Sequence, residues 1–113
     1  MNVSFSGFNE KSTTFNCTEN IEAGKAVKIS ANGTVAACAN GDIFCGIVTD
    51  VRGGCATVQL TGYVRTAYSG AAPALGYTAL ASDGNGCVTS SESGRSYLVT
   101  DVDSTDNTVG FML

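Results

Sequence analysis

The sequence contains no histidine and no tryptophan, and Pro73 is its single proline. Without histidine, the side chain that most often serves as a general base near neutral pH is missing, and a zinc site would need cysteines alone. Cysteines number five (Cys17, Cys38, Cys45, Cys55 and Cys87), with no CxxC pair among them. They read as small core or strand residues. Charged residues make up 14%, against about 25% in an average domain. So uncharged a surface suits a protein held against a partner, and equally a β protein rich in Gly, Ser and Thr. The net charge of −4 and the scatter of Lys11, Lys25, Lys28, Arg52, Arg65 and Arg95 leave no basic patch. Nucleic-acid binding, which depends on Lys and Arg neutralising phosphates, is not expected. No apolar run approaches the roughly 18 residues of a membrane span. The segment MNVSFSGFNEKSTTFNC has neither the basic start nor the apolar stretch of an export signal. Synthesis in a cytoplasm is therefore the expectation, and disulfides are not expected there.

Motifs for chemistry are also scarce. GxSxG and GxxxxGK[ST] are absent, and no cysteine has a histidine to activate it. The ten carboxylates are spread along turns, so no acid/base pair can be named. Asp101, Asp103, Asp106 and Asn107 lie close enough to offer oxygen ligands to calcium. They lack the glycine and distal glutamate of an EF-hand loop and read as a solvated turn. Asp83-Gly84-Asn85-Gly86 is likewise a turn, since no helix follows it to complete a phosphate cradle. No catalysis, cofactor or metal is expected.

What the chain does have is β pattern. Glycines number 14, and short β-favouring runs alternate with turn residues at the spacing of a sandwich or barrel. Strands are expected over 3–8, 13–17, 26–30, 34–38, 44–51, 55–60, 62–68, 77–81, 86–90, 96–102 and 108–113. Ala56, Val58 and Leu60 form one face of such a strand, with Thr57 and Gln59 on the other. Period two means one buried face. No helical stripe appears; Ala71–Leu75 is short and holds the proline.

The tetrapeptide VTDV occurs twice, at 48–51 and at 99–102. At the same offset Asn32-Gly33 matches Asp83-Gly84, Ile29 matches Leu80, Ile47 matches Leu98, and Thr57-Val58 matches Thr108-Val109. Each half therefore reads strand, Asx-Gly turn, strand, long strand ending in VTDV, turn, closing strand. Asx-Gly is the strongest short hairpin signal. Between Gly41 and Gly46 the halves diverge. Neither half could bury its apolar face alone, so the expected fold is all-β. It is a small barrel-like domain built from two similar half-repeats, about 20–68 and 69–113, preceded by an N-terminal arm and first strands over 1–19.

The ordered series AGKAVKIS-x-NG-x-V, GDIFCGIV, LTGYV and LGYTALASDGNG resembles the small capsid cement, or head decoration, proteins of tailed bacteriophages and prophages. The resemblance spans residues 20–113. It implies a small β-barrel of the kind called a β-tulip. It also implies assembly as trimers on the outside of the expanded head, contact with the major capsid protein, and a place in the virion. The alternative is a phage tail or fibre β module that binds a receptor or carbohydrate.

Two candidate contact surfaces follow. Val3, Phe5 and Phe8 are large apolar residues outside the repeat, and Val3 and Phe5 alternate with serines as in a strand that could join a sheet edge. Tyr63, Arg65 and Tyr68 lie at the junction of the halves and are of types common at interface centres.

Overall fold

A computed structural model describes residues 11–17 and 21–113. The strand expected over 3–8 lies outside the described residues, as do Val3, Phe5 and Phe8. The described chain is all-β, with no helix. Its strands are β1 (Lys11–Cys17), β2 (Ala26–Ala31), β3 (Thr34–Ala37), β4 (Gly46–Arg52), β5 (Cys55–Thr61), β6 (Tyr63–Ala67), β7 (Gly76–Ser82), β8 (Val88–Ser90), β9 (Arg95–Asp103) and β10 (Thr108–Met112).

The first five strands close a barrel in the order β1-β3-β2-β4-β5, and the last five form a sheet in the order β6-β10-β9-β7-β8. Read from its other end, the second order is that of the barrel, with β6 in the place of β1. The internal repeat of the sequence is therefore a repeat of topology. The sheets divide at Gly62, within the segment assigned from the sequence to the first half. In the barrel, closure comes from parallel pairing of Asn16 with Thr34 and Cys17 with Val35. In the second sheet the corresponding seam is a single parallel bridge between Tyr68 and Val88.

The repeated VTDV marks the same defect in both halves. Apolar-polar-polar-apolar breaks strict alternation, so a regular strand would turn one valine outward. A β-bulge resolves this, because two residues of one strand then oppose one of its neighbour. Val48 pairs with Val58 and Asp50 with Thr57, which leaves Thr49 as the extra residue. Val99 pairs with Phe111 and Asp101 with Gly110, which leaves Thr100. Val48 and Val51 thus both reach the barrel core, and Val99 and Val102 both reach the second core. Thr49 Oγ1 donates to the Thr57 carbonyl at 3.2 Å. Thr100 Oγ1 lies 3.3 Å from the equivalent Gly110 carbonyl and nearer, at 2.7 Å, to its neighbour Asp101.

Beyond the bulge the two halves differ in length. Arg52 pairs with Cys55 across Gly53-Gly54, whose φ values of 53° and 79° suit a tight primed turn. Asp103 pairs with Thr108 across the longer segment 104–107, where the Asp103 carboxylate accepts from Thr105 N and Asp106 N. The counterpart of Val58 is consequently Phe111, not Val109 as the sequence offset suggests.

Two apolar clusters result. Ile21, Val27, Val35, Val48, Ala56 and Val58 fill the barrel. The second cluster sits under the open sheet, where Leu80, Tyr97, Val99 and Phe111 are joined by Ala26, Cys38, Phe44 and Ile47 of the first half. Phe44 belongs to the segment in which the halves diverge. It was expected to start a strand, but β4 begins at Gly46 and Phe44 instead enters the second core. Its ring stacks on Tyr97 (centroids 5.2 Å apart) and meets Phe111 edge-on at 6.1 Å. Burial on this scale stabilises by about 2–3 kcal/mol. At the junction, the buried Gln59 donates through Nε2 to the Thr61 carbonyl at 3.0 Å and the Tyr63 carbonyl at 2.9 Å. This clamps the chain on both sides of Gly62.

Candidate interaction surface

Strand β6 alternates Tyr63 and Arg65 on the outer face with Val64 and Thr66 inside, as its burial pattern shows. In register, Tyr63 lies opposite Met112, Met112 opposite Leu98, and Leu98 opposite Tyr77. Cross-strand partners on one face have side chains in contact range. One row of large apolar and aromatic residues therefore crosses four strands on the outside of the second sheet. Tyr77 is 78% exposed and Leu98 36%, and Leu75, just before β7, is 67% exposed.

Beside this row stands a polar cluster. Asp101, Gly110 and Arg65 are register partners. The Tyr63 hydroxyl donates to Asp101 Oδ1 at 3.0 Å, Arg65 forms an ion pair with the same carboxylate, and Arg65 Nη1 donates to Tyr63 Oη at 3.3 Å. The three meet over Gly110, where an added Cβ would collide with the Tyr63 hydroxyl and the Asp101 carboxylate. Burial pushes the Asp101 carboxyl up, but hydrogen bonds from Thr100, Tyr63 and Arg65, with the charge of Arg65, outweigh it. The group is held below its ordinary value of 3.8. Burial raises the Tyr63 hydroxyl above its ordinary value of 10.0. The carboxylates suggested as calcium ligands serve different ends: Asp101 faces Arg65, and Asp103 caps its own turn. Among the described residues no three His, Cys, Asp or Glu side chains come together as a metal site.

Of the residues singled out in the sequence, Tyr63 and Arg65 are thus brought together on the outer face. Tyr68 is not at the surface: it is 7% exposed and part of the second core. Tyr68 falls at period two after Val64 and Thr66, so it faces inward with them, opposite to Tyr63 and Arg65. Tyr77, Leu98 and Met112 were not singled out. The run Tyr97-Leu98-Val99 is apolar throughout, so alternation alone does not say which residue faces out. The register with Tyr77 supplies that.

No protein-family model and no curated protein matches this chain.

Proposed function

We propose that this chain is a structural protein of a tailed phage particle that binds the outside of the capsid and stabilises the head by contact rather than by catalysis. The reading starts from the sequence resemblance. The observation that carries it further is the outward row Tyr77, Leu98, Met112 and Tyr63, exposed at Tyr77 and Leu98 and half-buried at Met112 and Tyr63, with Arg65 beside it. A contiguous apolar stripe on a rigid sheet is what a contact protein needs, because aromatic, apolar and Arg side chains dominate interface energy. Each copy contributes modestly, and the sum over many copies fastened to one lattice is large.

The test is co-sedimentation of the purified chain with unexpanded and expanded heads of the phage that encodes it. Saturable binding to expanded heads, lost in Leu98→Asp while the variant keeps its melting temperature, supports the reading. Failure to bind either particle overturns it and turns attention to a tail or fibre module. Equal binding by Leu98→Asp would remove the row from the contact.

A further inference from the structure

Asn-Gly occurs three times, at 32–33, 40–41 and 85–86. Asparagine is among the chemically labile residues. A glycine after it has no Cβ to keep its backbone nitrogen away from the carboxamide. The three sites differ in what the fold leaves free. The Gly41 N–H donates to the Ser82 carbonyl at 2.8 Å, which occupies the nitrogen that would have to react. At the third site the chain is held on both sides. Asp83 Oδ1 accepts from Asn85 N at 2.7 Å and from Cys87 N at 3.1 Å, and the Gly86 carbonyl accepts from Ala26 N at 3.0 Å. A Cβ added at Gly86 would strike the Lys25 side chain, so there is little room beside it. The Asp83 carboxylate also opposes a second negative charge there.

Asn32 and Gly33 escape these restraints. Both are exposed at the tip of the hairpin in which Ala31 pairs with Thr34. Nothing lies within 4 Å of where a Gly33 Cβ would stand. Among the described residues, neither the Asn32 carboxamide nor the Gly33 N–H has a hydrogen-bond partner. Yet the turn has a structural task. The Gly33 carbonyl accepts from Asn16 N at 2.9 Å, beside the parallel pairs Asn16 with Thr34 and Cys17 with Val35 that close the barrel.

We infer that Asn32 is a site of spontaneous backbone modification, and that its conversion loosens the closing seam of the barrel. The Gly33 nitrogen gives its proton to solvent and attacks Asn32 Cγ. The new N–Cγ bond closes an imide ring, and the Cγ–Nδ2 bond breaks to release ammonia. Water then opens the ring. Attack at Cγ leaves an ordinary aspartate. Attack at the main-chain carbonyl leaves isoaspartate, whose backbone runs through the side chain and is longer by one carbon. Amide and water thus become acid and ammonia, with no oxidation or reduction. The longer turn carries the Gly33 carbonyl away from Asn16 N, and the seam has few other bonds to hold it. The inference goes beyond the capsid reading and does not rest on it.

Peptide mapping by mass spectrometry tests it on purified chain aged at mildly alkaline pH, native and in urea. In urea the three Asn-Gly sites should convert together. In the native chain Asn32 should be lost first, with isoaspartate among the products, while Asn40 and Asn85 persist. Amide hydrogen exchange then reads the seam. The Asn16 N–H should lose protection in the aged protein and keep it in equally aged Asn32→Ser, which has no carboxamide to react. A native order and rate the same as in urea, earlier loss of Asn40 or Asn85, a stable Asn32, or an Asn16 amide that ages alike in both proteins would each overturn the proposal.

Discussion

Phe44 and Tyr97 stack nearly parallel, 11° between ring planes, although they come from different halves of the chain. The contact joins the segment where the repeat fails to the sheet whose seam is incomplete. A half-repeat with one bridge in place of a strand pair lacks apolar filling, and the other half supplies it. Truncation of Phe44 to Ala should therefore destabilise the whole molecule by about 3–5 kcal/mol, in the range of large-to-small core changes. Phe44→Leu should cost less. Urea unfolding followed by circular dichroism measures both.

Gly110→Ala should destabilise by about 1–3 kcal/mol, as overpacking does. The new methyl group collides with Tyr63 and Asp101. In a Tyr63→Phe background the hydroxyl is gone, and the same substitution should cost less. A double-mutant cycle of unfolding free energies isolates that coupling. Additive costs would show that the clash relaxes by another route.

Stability should fall as the solution is acidified below about pH 4. Asp101 has a folded value below its ordinary 3.8. Its contribution is present above 3.8 and is lost as pH falls through the folded value. Asp83 behaves alike: burial pushes it up, but the backbone N–H groups of Asn85 and Cys87 and the Ser69 side chain hold it low. Asp101→Asn should flatten part of the acid limb while costing about 1 kcal/mol at neutral pH, a modest figure because Arg65 remains partly exposed. Melting temperatures across the pH range give both slopes.

Cys38 should be the last thiol to react with an alkylating reagent in the native state. It is 4% exposed, and burial, aided by the charge of Asp42, pushes its thiol up to about 11. The thiolate is the reactive form, so at mildly alkaline pH Cys38 should label only on unfolding. Cys17, Cys55 and Cys87, each partly exposed, should label first. Mass spectrometry of quenched time points gives the order.

The strands were largely legible because period two and Asx-Gly turns are local signals. From β1 to β10 the expected positions fall on the observed ones to within a few residues. The repeat was legible too, but not its meaning. VTDV reads as a recurring strand end, whereas the bulge at Thr49 and Thr100 appears only once the partners across the ladder are known. The register after Asp103 was misjudged for the same reason, since segments that look equal in the sequence close turns of different length. Tyr68 and Tyr77 show how little residue type says about exposure: Tyr68 falls in step with the inward Val64 and Thr66, whereas Tyr77 stands opposite the outward Leu98 on the outer face. Phe44 was hidden because a lone aromatic before a strand reads as part of it.

The hairpin that joins β9 to β10 holds four exposed residues where its counterpart holds two. The same architecture is thus written with both lengths, and loop closure changes only slowly with length. Segment length at this point is a free variable of the design. A foreign peptide spliced between Thr105 and Asp106 should be carried outward on a stiff two-strand stem, away from both cores and from the row on the outer face. The molecule then becomes a display platform, its cargo site set at a turn whose length differs between the two halves.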